Sequence, residues 1–99
     1  MSDAVETIDL DAPRTFFGPH PGFAGAAIPI PAAVKKVADE LDGQTLPLRE
    51  ALARLRAATT GTIEVNQRPP LTHGTIFLKL KGEGKYADGL HMFRIISFR

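Results

Sequence analysis

Gly82-Glu83-Gly84-Lys85 comes closer than any other segment of this 99-residue chain to a phosphate cradle. A phosphate loop needs Gly-x-x-x-x-Gly-Lys-Ser/Thr between a strand and a helix, so that several backbone N–H groups converge on one anion. Here a single residue separates the glycines, Tyr86 follows the lysine, and a strand pattern comes next. The segment reads as a hairpin loop. The three histidines, His20, His73 and His91, share no metal-ligand spacing, and there is no cysteine to join them. No metal and no cofactor are therefore expected. His20, between Pro19 and Pro21, reads as a turn residue. Serine occurs only at Ser2 and Ser97, neither in a nucleophile elbow, so no Ser-His-Asp chemistry is expected. Asp39, Glu40 and Asp42 could supply a pair of carboxylates, but their places on an amphipathic helix read as a solvated face. No catalytic residue is assigned from the sequence, and the expectation leans towards a protein that is not an enzyme.

Nucleic acid would need a basic surface. Arg49, Arg54, Arg56, Lys79, Lys81 and Lys85 are the candidate contacts, but the net charge is only +1. A basic footprint is normally denser, so nucleic acid is expected to be a weak ligand. Val37-Ala38-Asp39-Glu40-Leu41, a glycine turn and a second helix could form a winged helix-turn-helix, with residues 82–89 as the wing. Leu46 and Pro47 stand where polar residues should meet base edges. The segment Lys79-Leu80-Lys81-Gly82, followed by Ala87-Asp88-Gly89-Leu90-His91-Met92-Phe93-Arg94-Ile95, resembles the strand segment of RelE/ParE-type bacterial toxins. The resemblance covers about a fifth of the chain. It implies two helices followed by antiparallel strands, and cutting of ribosome-bound messenger RNA. That family usually continues with another strand carrying an arginine and a tyrosine, where this sequence stops at Arg99.

The elements that must position these groups begin with an unusual arm. Residues 12–31 hold five of the eight prolines and three of the six phenylalanines, Phe16, Phe17 and Phe23. Proline fixes φ and donates no backbone hydrogen bond, which argues against a regular helix or a central strand. A solvated linker would be polar, so Phe16, Phe17, Phe23, Ile28 and Ile30 suggest an extended arm laid on an apolar surface, its own or a partner's. Residues 4–10 alternate as a short edge strand would.

Val34, Val37, Ala38 and Leu41 recur at i, i+3, i+4 and i+7 and predict a helix over 32–42, between Pro31 and Gly43. Leu48, Ala51, Leu52 and Leu55 predict a second over 47–59, joined to the first by a short connection. Alternation then predicts strands around Ile63 and Val65, over 75–81 and over 90–98. The last is apolar on both faces, with Leu90, Met92, Arg94, Ile96 and Phe98 on one and Phe93 and Ile95 on the other. Such a strand is central in a covered sheet or completed by another chain. Arg94 on that face should then reach a carboxylate (Asp88, Glu64, Asp9 or Asp11) or a row of carbonyls, or emerge at an interface with another chain.

Ninety-nine residues make one domain, and 43% hydrophobic with 23% charged residues excludes wholesale disorder. The N-terminus is acidic and does not read as a signal peptide, and no apolar run suffices for a membrane helix. The absence of cysteine fits a cytoplasmic protein or one held within a virion or other particle. The expected fold is α+β, with two amphipathic helices on a three- or four-stranded antiparallel sheet over 32–99 and an acidic head and Pro/Gly/Phe-rich arm over 1–31. The expected function is non-enzymatic interaction or assembly: a small subunit of a larger complex, or a docking inhibitor of the phage or mobile-element type. Its partner is another protein or a second copy, met by Phe16, Phe17, Phe23, Ile28, Ile30, Phe93, Arg94 and Phe98. The alternative is a nucleic-acid-directed factor, toxin-like or winged-helix.

Overall fold

The 3.6-residue apolar period draws out two helices that cover one face of an antiparallel sheet. The computed structural model describes residues 9–20, 30–67, 73–81 and 89–99. The expected edge strand over 4–10 falls mostly outside them. Strand β1 is Pro13–Phe17, helix α1 is Ala32–Leu41, strand β2 is Thr45–Pro47, and helix α2 is Leu48–Ala57. Strands β3 (Thr62–Asn66), β4 (Gly74–Lys81) and β5 (Leu90–Phe98) follow.

Helix α1 buries Val34, Ala38 and Leu41, and α2 buries Leu48, Ala51, Leu52 and Leu55. Gly43, at φ +81°, lets the chain leave α1 in a left-handed conformation that other residues adopt at a cost. The Gly43 N–H then donates to the Phe16 carbonyl at 2.8 Å, which ties the turn to β1.

The sheet has five strands, in the order β2-β1-β5-β4-β3, every neighbouring pair antiparallel. Two of the five, against an expected three or four in all, come from segments whose pattern predicts no strand. The arm supplies β1, an interior strand. Pro13 sits at its first residue and Pro19 lies beyond its end, so neither ring interrupts the ladder. The short connection between the helices supplies β2, whose three residues pair with β1. Because β1 pairs with β5, the sheet draws on both sides of position 32.

Strand β5 lies between β1 and β4 and carries a β-bulge. Ile76 pairs with Ile96 but Phe77 pairs with Arg94, so Ile95 has no opposite residue. The extra residue reverses the alternation. Phe93 and Ile95 point to the core before it, and Ile96 and Phe98 after it, all fully buried. Arg94 therefore leaves the apolar face assigned by strict alternation and is exposed on the other side. Gly74 stands opposite Phe98, and a Cβ at Gly74 would collide with the Phe98 ring.

The expected contact residues Phe16, Phe93 and Phe98 are 0% exposed and Ile30 is 7% exposed. All four belong to one core with α1 and α2. They are enclosed by this chain rather than presented to a partner. A small domain needs these large side chains inside, and Phe16 packs its ring 6.0 Å from that of Phe98. Phe17, one residue on, points outward and is 39% exposed. Phe16→Ala is expected to lower unfolding free energy by about 3–5 kcal/mol, and Phe17→Ala by less than about 1 kcal/mol. Urea denaturation of the two variants measures both; equal losses would contradict this placement of β1.

Candidate functional site

The bulge decides which side chains meet on the face of the sheet that the helices do not cover. Residues 94 and 97 are an odd number apart and would point to opposite faces of a regular strand. With Ile95 inserted, Arg94 and Ser97 both face outward. Ser97 pairs across the ladders with Phe17 on β1 and Thr75 on β4, and Arg94 pairs with Phe77. Met92 pairs with Lys79, and Leu90, 54% exposed, pairs with Lys81. On β3, Thr62, Glu64 and Asn66 complete the face.

His20 lies over this cluster. Its backbone N–H donates to the Ile95 carbonyl at 2.7 Å, so the arm runs along the bulge itself. Its ring Nε2 is 2.6 Å from Ser97 Oγ, and the tautomer sets which atom donates. Burial, and secondarily the positive charge of Arg94, hold the imidazole below its usual pKa of 6.5. His20 is thus predominantly neutral at pH 7, with one lone pair available. At one end of the face the Arg99 guanidinium stacks 5.5 Å over the Phe17 ring, and its Nε donates to His73 Nε2 at 3.0 Å.

The other expected site residues divide clearly. Arg49 Nε donates to Asp11 at 2.9 Å and Arg54 to Glu50 at 2.6 Å, both on the helical side. Arg56 is exposed on α2. The segment between α1 and α2 is strand β2, and α2 turns its leucines inward, so the pair departs from a helix-turn-helix. Lys79 and Lys81 lie on the open face, and Lys79 Nζ is 2.9 Å from Glu64. Phe23, Ile28, Lys85 and Asp88 lie outside the described residues, as do most of the wing and hairpin loop over 82–89. Among the described residues no carboxylate pairs with Arg94, because Glu64 takes Lys79 and Asp11 takes Arg49.

No family model matches this chain, and neither a curated protein nor a solved structure matches it. Among the described residues, no group of three or more His, Asp or Glu could hold a metal ion. No helix among them is long and apolar enough to cross a membrane.

Sequence reasoning missed the His20–Ser97 contact, which spans 77 positions and exists only because β1 pairs with β5. Two signals pointed towards the site. Arg94 conflicted with the apolar face assigned to it, and Ile95-Ile96 placed two large apolar residues side by side in an alternating strand. A bulge resolves both.

The lowered His20 pKa has a definite sign in linkage. The unfolded chain binds this proton more readily, so the His20 contribution to stability is present above about pH 6.5 and is lost as pH falls through the folded value. NMR titration should give His20 a midpoint below 6.5, and Arg94→Met should raise it part of the way, since burial is the larger cause. A wild-type midpoint at or above 6.5 would remove His20 from the site.

Proposed function

We propose that the chain is a nucleic-acid-directed factor that takes a single strand on the open face of its sheet. The observation that carries this reading is the segregation of charge. On that face Arg94, Arg99, Lys79 and Lys81 stand against Glu64 alone among the described residues. Of the other described acids, Asp39, Glu40, Asp42 and Glu50 lie on or beside the helices, Asp11 is drawn to α2 by Arg49, and Asp9 accepts from the backbone N–H groups of Asp11 and Ala12 ahead of β1. A net charge of +1 therefore understates the basic character of this surface. Phe17 and Phe77 lie among the cations, and aromatic faces between basic side chains suit unstacked bases and their phosphates. Stacking on such a ring contributes about 1–3 kcal/mol per base.

Fluorescence anisotropy with a labelled single-stranded oligonucleotide tests the reading. Phe17→Ala should weaken binding roughly 5- to 150-fold, the equivalent of that stacking term. Arg94→Ala should flatten the dependence of log K on log salt by about 0.7, one phosphate contact. Wild-type binding no tighter than that of a Phe17→Ala, Arg94→Ala double variant would exclude this face.

Docking to a protein is the second reading, favoured by the exposure of Leu90 and Phe17. It predicts self-association, or a stable complex with a defined acidic protein. Either would be abolished by Phe17→Asp with Leu90→Asp, and oligonucleotide would have no effect on it.

A further inference from the structure

We propose that Ser97 and His20 form a nucleophile–base pair that cleaves phosphodiesters without a metal ion. The choice of a phosphodiester rests on the nucleic-acid reading above; the pair itself rests on three independent features of the structure. Ser97 Oγ and His20 Nε2 are 2.6 Å apart, within the distance a base needs to take a hydroxyl proton. His20 is fixed at its backbone by the hydrogen bond to Ile95, so the ring is delivered to Ser97 by the ladder. The bulge sets Arg94 on the same face as Ser97, beside His20, with no carboxylate among the described residues to neutralise it. Arg99, above the Phe17 ring opposite Ser97, adds a second cation. Bulges often re-aim side chains beside active sites, and this one converts a strand position into a serine flanked by guanidinium groups.

The chemistry balances with the residues present. With its proton on Nδ1, neutral His20 accepts the Ser97 O–H proton at Nε2. Ser97 Oγ forms a bond to phosphorus as the bond from phosphorus to the leaving oxygen breaks. The leaving alcohol takes the proton from the His20 imidazolium. Arg94 and Arg99 hold the non-bridging oxygens, whose negative charge grows during attack. Water then attacks the seryl phosphodiester: it gives a proton to His20, the Ser97 Oγ–phosphorus bond breaks, and Ser97 recovers the proton. The products are an alcohol and a phosphate monoester. The attack uses no 2′-hydroxyl, so DNA and RNA strands are both substrates.

Bis(p-nitrophenyl) phosphate in the presence of chelator tests the pair on the full chain. The wild type should release p-nitrophenolate, and acid-quenched protein should carry one p-nitrophenyl phosphoryl group on Ser97 by mass spectrometry. Ser97→Ala should lose both. His20→Gln should lower the rate on the order of 10²- to 10⁴-fold, with a circular dichroism melt like the wild type's. Arg94→Met should lower it with the dyad intact. Release that persists in Ser97→Ala, or no release from the wild type, overturns the proposal. If the wild type binds the oligonucleotide but releases nothing, the dyad falls and the binding reading stands. If it releases p-nitrophenolate but binds no oligonucleotide, the dyad stands for smaller phosphodiesters.

Discussion

One inserted residue in the central strand holds this structure's two faces in their present form. Were Ile95 paired in a regular ladder, the alternation that sends Phe93 inward would send Ile96 and Phe98 outward and turn Ser97 into the core. Burial of a large apolar side chain contributes about 1.5–3 kcal/mol relative to exposure. A regular ladder would therefore expose two such side chains and bury a hydroxyl. The bulge resolves the conflict by spending one residue off the ladder, and the same residue's carbonyl accepts the His20 N–H. Core and candidate site are in this sense one decision made at one position.

The helices show how far local pattern carries. Both stripes appeared in the sequence because the 3.6-residue period is written in single residues, and the observed ends differ from the expected ones by at most two positions. Strands β3, β4 and β5 were legible for the same reason. Strand β1 was not, because the prolines around it dominate the reading of the arm while only Phe16 of its five residues is buried. Strand β2 is too short for any period. The core role of Phe16 depends on pairing with residues 43–46 and 97–99, which no local window contains.

The candidate site was hidden for a related reason. Each of its members has an ordinary local explanation: His20 between prolines, Ser97 in a strand, Arg94 in an apolar run. Their chemistry arises only when β1 lies along β5 and the register shifts by one. What the sequence did disclose was a contradiction, a charge assigned to a hydrophobic face. Such conflicts between local rule and global fold are where functional geometry tends to be found.

Strand β5 is the last element in chain order and yet occupies the middle of the sheet. Before it is in place, β1 lacks its partner on one side, β4 likewise, and the two halves of the sheet have no backbone connection. Neither half of the sheet is complete until β5 pairs with both β1 and β4. The join links segments about 80 positions apart, and non-local pairings of this kind tend to slow folding. The hydroxyl and imidazole, 77 positions apart, come together only when β5 pairs with β1, so whatever this face does depends on the join between the two halves of the sheet.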